Sequence, residues 1–214
     1  MRLIKKTFLS KMPLLAAGLL SSSLAFGGAQ IQSPLSASVR AVLQHSIADQ
    51  ASTSSGFASE RQEQIWLREM SRRMSKYMPD RERRLNFLRT VHYEAARAGL
   101  DPQMVLGLIE VESRFRKYAV SRVGARGYMQ VMPFWVKDIG TSGQDLFHLR
   151  TNLRYGCTIL RYYLDMEKGN LFRALGRYNG SLGRPRYPNL VKNAWLHHWK
   201  LPHQPGELRT ASAD

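Results

Sequence analysis

The sequence predicts an all-α protein, because apolar residues recur at helical spacing in several long segments. Helix-capping residues flank these segments. Asp101 can accept hydrogen bonds from free backbone N–H groups, and Pro102 suits the first helical position. Asp80 can start another helix in the same way, and Gly99 can end it. With 214 residues, of which 43% are hydrophobic, the chain can form one domain of ordinary size and a tail.

Residues 1–29 are typical of a cleavable export signal. Residues 12–26 are apolar and small, but this segment is too short and too interrupted to span a bilayer well. Small residues precede Gln30, so we predict cleavage after Ala29, with an uncleaved anchor as the alternative. The basic residues of this segment stand before the apolar part: Arg2, Lys5, Lys6 and Lys11.

The region that follows divides into a spacer and two helices. Residues 30–59 are rich in serine, alanine and glutamine, with a weak helical pattern near residues 39–47, and we predict a flexible linker. Helices are predicted over residues 60–77 and 81–98, so that residues 60–87 form N-terminal helices packed on the domain of residues 88–200.

The helix that starts at Asp101 carries two glutamates on different faces. Glu112 falls within its apolar arc, whereas Glu110 falls on the opposite face, where we expect it to be solvated. Desolvation favours a neutral carboxylic acid, so Glu112 is expected to have a raised pKa suited to general acid catalysis. The alternative is a structural glutamate paired with a nearby arginine: Arg114, Arg116 or Arg122.

Later segments are also predicted to be helical, over residues 151–167, 171–178 and 189–200. A basic loop is expected over residues 184–188, and residues 201–214 are expected to be a disordered tail. Cys157 is the single cysteine, and we predict a small buried apolar side chain there. No histidine pattern matches a metal site, so neither a metal nor another cofactor is expected.

The net charge of +16 indicates an anionic partner. Without residues 1–29, which hold four basic and no acidic residues, +12 remains. An exported protein rarely meets nucleic acid, which is therefore not an expected partner. The cell wall and anionic lipids are the expected sources of electrostatic contact, and a monomer is expected.

Four blocks of sequence, in a fixed order, resemble the catalytic domain of the soluble lytic transglycosylases. The resemblance covers about residues 88–199, roughly half of the chain, and implies a goose-type lysozyme-like fold with a substrate cleft. The blocks are Glu112-Ser113, then Ala119-Val120-Ser121 with residues 124–127, then residues 128–133, and finally Asn152 and Gly156 followed by Tyr178-Asn179-Gly180.

The resemblance implies a periplasmic enzyme that cleaves the β-1,4 bond between MurNAc and GlcNAc in peptidoglycan and leaves a 1,6-anhydro sugar. Glu112 is implied as the single acid and base, with the Tyr178 hydroxyl reaching its carboxyl group. Ser113 is implied to support the glutamate helix at the edge of the site. The other implied substrate-binding residues are Ser121, Met129, Gln130, Met132 and Asn179.

Two alternatives to this function stay open on the sequence alone. One is a muramidase that admits water and uses a second acid among Asp138, Asp145, Asp165 and Glu167. The other is a weakly active wall-binding scaffold module. The chain also departs from the family pattern at Ile159, where a tyrosine is common. Turn formation for Ser121 and Asn179, and core packing for the two methionines, are the structural alternatives at those positions.

Overall fold

The structure is a computed structural model that describes residues 30–48, 57, 59–141 and 143–201. These residues contain isolated β-bridges but no strand, so the predicted all-α class is confirmed. A π-helical turn, Trp195–Trp199, extends the last helix. The helices are α1 (Ala37–Ala48), α2 (Glu60–Met74), α3 (Arg81–Arg97), α4 (Pro102–Ser113), α5 (Phe134–Ile139), α6 (Leu149–Met166), α7 (Leu171–Tyr178) and α8 (Arg186–Ala194).

Helix α4 lies at the centre of the fold and packs against α3, α8 and the π-helical turn. Its start is the predicted one, since the Asp101 carboxylate accepts hydrogen bonds from the backbone N–H groups of Gln103 at 2.7 Å and Met104 at 3.4 Å. Gly107 permits the close approach to the π-helical turn, because a Cβ atom there would lie 2.7 Å from the Trp195 backbone nitrogen. The N-terminal cap and the close packing at Gly107 therefore determine the position of α4.

A buried ion-pair cluster joins α3 to α6. Glu94 is fully buried and lies 3.1 Å from Arg97 and 3.0 Å from Arg154. Such a cluster is costly to break, because removing one partner leaves a buried charge without compensation. Cys157 on α6 is also fully buried, and burial raises the pKa of its thiol. The predicted apolar role of this cysteine is confirmed.

The prediction of a flexible linker is wrong over residues 30–48. These residues include α1, which packs against α5 and α6 and buries Leu43 and Ile47. Val39, Leu43 and Ile47 are spaced four residues apart and share one helix face, and long-range packing of that face stabilises a helix whose own sequence signal is weak. The predicted signal segment of residues 1–29, the spacer of residues 51–56 and the tail after residue 201 lie outside the described residues.

One segment near the C-terminus differs from expectation. Residues 184–188 were expected to form a loop, but α8 begins at Arg186 and its first turn includes Pro188. Proline is tolerated in a first helical turn, because the backbone N–H that it lacks has no helical partner there. Across the described part of the chain, no helix combines the length and the apolar character that crossing a membrane requires.

Candidate active site

Glu112 occupies a fully buried position near the C-terminal end of α4. The Tyr187 hydroxyl, on the first turn of α8, donates a hydrogen bond of 2.5 Å to Glu112 Oε1. Burial, together with the negative charge of Glu112, raises the pKa of Tyr187 well above its ordinary value. The phenol therefore keeps its proton at neutral pH and is a permanent donor to the carboxyl group.

Tyr187 is the functional residue that the sequence interpretation missed. It was placed in the basic loop predicted over residues 184–188. The signal that could have found it is helical spacing, since Tyr187, Val191 and Ala194 are all buried on one face of α8. That face packs against α4, and so the tyrosine reaches the glutamate across 75 residues of sequence.

Tyr178 does not make the contact that the sequence resemblance implied. Its hydroxyl donates at 2.8 Å to the backbone carbonyl oxygen of Met129 instead of to Glu112. It is nevertheless close to the glutamate: burial, followed by the charge of Glu112, raises the pKa of Tyr178 well above its ordinary value. Tyr178 therefore anchors the chain around Met129 beside the site, while Tyr187 contacts the carboxyl group.

Residues 119–132 form a loop next to these tyrosines, and hydrogen bonds within the loop hold it together. Gln130 is buried with a positive φ of 50°, and its side-chain amide donates to the carbonyl oxygens of Ala119 at 3.1 Å and Gly127 at 2.9 Å. Ser121 Oγ accepts a hydrogen bond from the backbone of Ala125 at 3.0 Å. The side-chain N–H groups of Gln130 and one lone pair of Ser121 thus have partners within the loop, and sugar binding by these two residues stays a prediction.

Asn152 on α6 forms hydrogen bonds with the same loop. Its side-chain oxygen accepts a hydrogen bond from the Met129 backbone N–H at 2.8 Å. Its side-chain N–H groups donate to the backbone carbonyl oxygens of Arg126 at 2.9 Å and Leu146 at 2.8 Å. Asn152 is fully buried, so these bonds satisfy its polar atoms in a site without solvent. The asparagine block of the resemblance thus has a structural role that fixes the backbone near Glu112.

The remaining predicted binding residues divide between core and edge. Met129 and Ser113 are buried, and Ser113 Oγ donates to the Ile109 carbonyl oxygen at 3.2 Å, which ties it to its own helix. Met132 is half-buried, and Asn179 Nδ2 lies 3.1 Å from Ser181 Oγ just after α7. Ile159, where the family commonly has tyrosine, is fully buried in the core. Met132 and Asn179 therefore remain the best candidates for direct ligand contact.

Glu110 is not solvated as expected. Its carboxylate accepts hydrogen bonds from the Tyr77 hydroxyl at 2.8 Å and from Trp199 Nε1 at 2.6 Å, and His198 Nδ1 lies 3.0 Å away. Its side chain is 14% exposed. Burial and the contact with this carboxylate raise the pKa of Tyr77 to about 12. Glu110 is a structural group that joins α4 to the π-helical turn.

The four acids considered as a second catalytic carboxylate have other contacts. Asp138 pairs with Gln32 at 3.1 Å, and Asp145 accepts from the Phe147 backbone at 2.8 Å. Asp165 is bound by Arg161, and Glu167 is bound by both Arg173 and Arg177. Within the described ranges, no group of three or more histidine, cysteine or acidic side chains is arranged to hold a metal ion.

A buried glutamate with a neutral phenol on its carboxyl group, inside an all-helical fold, defines a candidate site for acid–base catalysis. Residues 89–193, which include Glu112, Tyr178 and Tyr187, match the model of the family described as Transglycosylase SLT domain. Through this segment, which is just under half of its length, the chain is similar to the transglycosylase SLT family.

Relatives of known name agree with this assignment. A transglycosylase of Enterobacteria phage PRD1 is 31% identical over 109 residues, which are 51% of this chain and 40% of the phage protein. Membrane-bound lytic murein transglycosylase C of Actinobacillus pleuropneumoniae is 44% identical over 61 residues, 28% of this chain and 15% of that protein. The chain thus spans less than half the length of these relatives.

Among solved structures, an inactive mutant of lytic transglycosylase Slt from Pseudomonas aeruginosa is similar. It is 20% identical with a TM-score of 0.42, and the match covers 79% of this chain and 35% of that one.

Proposed function

We propose that this protein is an exported peptidoglycan lytic transglycosylase that cleaves the bond between MurNAc and GlcNAc with Glu112 as its single acid and base. The observation that carries the proposal is the fully buried Glu112 carboxyl group, held by Tyr187, within a segment that matches the SLT family. The names of the relatives support the choice of substrate, since they are called transglycosylase or lytic murein transglycosylase.

The reaction uses one carboxyl group twice. Protonated Glu112 first gives its proton to the glycosidic oxygen, and the bond from MurNAc C1 to that oxygen breaks. The carboxylate then removes the proton of the MurNAc C6 hydroxyl, whose oxygen bonds to C1 and forms the 1,6-anhydro ring. Glu112 ends the cycle protonated, GlcNAc leaves with a free hydroxyl group, and water takes no part.

Tyr187 has a defined role in this cycle. Its neutral hydroxyl donates to Glu112 Oε1, and a donated hydrogen bond is stronger when the acceptor is charged. Tyr187 therefore favours the carboxylate that forms after the first proton transfer, and burial favours the neutral acid that starts it. An internal nucleophile also makes positioning and exclusion of water central to the rate.

The product decides between this function and hydrolysis. Purified sacculi digested with the protein should release muropeptides that end in 1,6-anhydroMurNAc, as identified by mass spectrometry. Reducing MurNAc ends would instead show a muramidase. Sacculus binding without any released product would show a scaffold module.

The basic charge and the export signal belong to the same proposal. We propose that residues 1–29 direct export to the periplasm, that the protein acts there as a monomer, and that basic side chains retain it at the anionic envelope. Exposed charges are screened over about 8–10 Å at moderate ionic strength, so sacculus binding should weaken as salt increases. Binding that is equal at low and high salt in a pelleting assay would remove the electrostatic part of the proposal.

A further inference from the structure

The segment before α1 lies on the candidate active site. We call residues 30–36 the N-terminal strap. Gln30 is 4% exposed, its Oε1 accepts from the Met132 backbone N–H at 3.1 Å, and its Nε2 donates to the Gln130 carbonyl oxygen at 3.4 Å. A hydrogen bond from the same side chain to the Tyr178 hydroxyl lowers the pKa of that phenol, against the larger effect of burial. Gln30 therefore contacts both the loop and the tyrosine that lie beside the candidate site.

The strap is attached at several points along its length. Gln32 Nε2 donates to the Asp138 carboxylate at 3.1 Å, and Leu35 packs against the core. After the strap, Leu43 and Ile47 of α1 are buried. The strap is thus held at its α1 end by apolar packing and near the site by hydrogen bonds of side-chain amides. Another polar group can replace an amide in such a hydrogen bond.

The strap also lines a cavity of about 270 Å³ that extends to the turn after α7. Ile31, Ser33 and Leu35 line it on one side, and Trp135, Tyr163 and Gly180 line it on the other. Trp135 Nε1 is buried and has no hydrogen-bond partner among the described residues. A buried polar atom without a partner is rare, and this one belongs to a residue that lines the cavity.

We propose that the N-terminal strap is an intramolecular inhibitor that occupies part of the glycan-binding surface and must be displaced before substrate reaches Glu112. This inference rests on the proposed function. The carboxamide of Gln30 presents one carbonyl acceptor and one N–H donor to the loop, and the acetamido group of an N-acetylated sugar presents the same pair. The strap and the glycan therefore compete for the same backbone groups.

The test compares two glutamines of the full chain. Gln30→Ala removes the amide contacts at the site, and Gln44→Ala is the matched control, since Gln44 is exposed on α1. Binding of tri-N-acetylchitotriose is measured by calorimetry, and release of muropeptides from sacculi is measured in parallel. Because Gln30 adjoins the predicted cleavage bond, mass spectrometry should verify the N-terminus of each purified protein.

If the strap blocks the site, the apparent affinity for the oligosaccharide equals the intrinsic affinity multiplied by the fraction of molecules with an open site. Gln30→Ala should increase that fraction. It should therefore bind the oligosaccharide about three- to tenfold more tightly and raise kcat/KM by a similar factor. Gln44→Ala should match the parent. Gln32→Ala, at an exposed position, should give a smaller gain in the same direction and replaces Gln30→Ala if that variant fails to fold.

Unchanged or weaker binding in the folded strap variants would overturn the inhibitor proposal. The binding measurement also separates the two proposals. If neither the parent nor the strap variants release muropeptides, but the strap variants bind the oligosaccharide more tightly, the strap proposal holds and the proposed function fails.

Discussion

Glu110 and Glu112 are two residues apart on α4, yet they belong to two regions with different chemistry. Glu110 faces the π-helical turn. Trp199 of that turn, and Tyr77 shortly after α2, donate hydrogen bonds to its carboxylate. Glu112 faces α8, where burial is complete and Tyr187 donates to one oxygen. The first carboxylate is a structural link between elements. The second is the group to which we assign the proton transfers of the proposed reaction.

Replacement of Glu112 should have the largest effect on turnover. Glu112→Gln is nearly isosteric but can neither give nor accept the proton, and general acid–base catalysis contributes roughly 10²–10⁴-fold. Since the proposed mechanism assigns both transfers to this one residue, we expect a loss near the upper end of that range, measured as muropeptide release from sacculi. Activity within tenfold of the parent would show that another group performs the chemistry.

Tyr187→Phe should have the second largest effect. It deletes a hydrogen bond to a group that becomes charged, which is worth on the order of 1.5–3 kcal/mol. The rate should fall by roughly ten- to a hundredfold, at about 1.4 kcal/mol per factor of ten. A parental rate in a folded variant would make Tyr187 a packing residue.

Tyr178→Phe is the matched control for that variant, because both tyrosines are buried near the same glutamate. The hydrogen bonds that it removes, to the Met129 carbonyl oxygen and with the Gln30 side chain, join neutral groups and are worth about 0.5–1.5 kcal/mol each, so stability to urea should fall by roughly 1–3 kcal/mol. Turnover should change by less than about tenfold. A larger loss than in Tyr187→Phe would restore the role that the sequence resemblance gave to Tyr178.

Glu110→Gln should have the smallest effect on turnover and a measurable effect on stability. It keeps an acceptor for Tyr77 and Trp199 but removes the charge that strengthens both bonds. We expect a loss of about 1–2 kcal/mol in urea unfolding and a rate close to that of the parent. A rate loss comparable to that of Glu112→Gln would erase the distinction between the two regions.

The sequence predicted those features that depend on local physics. Asp101 caps α4 as expected, because the acceptor and the free N–H groups lie within three residues of each other. The inward position of Glu112 follows in the same way from helical spacing. Local patterns thus located α2, α3, α4, α6, α7 and the central glutamate, but not α1 or α5.

The sequence did not predict features that depend on distant packing. Tyr187 reaches Glu112, and Trp199 reaches Glu110, only because the C-terminal elements fold back onto α4. Gln30 contacts residues about 100 positions away in sequence. Helical periodicity shows which face of a helix is buried, but it does not identify the residues that pack against that face.

The central claim is that Glu112 works with an internal hydroxyl group and without water. It is tested most directly by digesting purified sacculi in water enriched in ¹⁸O and examining the released glycan ends by mass spectrometry. The account predicts 1,6-anhydroMurNAc ends that carry no ¹⁸O, and none of these ends with Glu112→Gln. Reducing MurNAc ends that carry ¹⁸O would contradict it, because water would then have attacked C1.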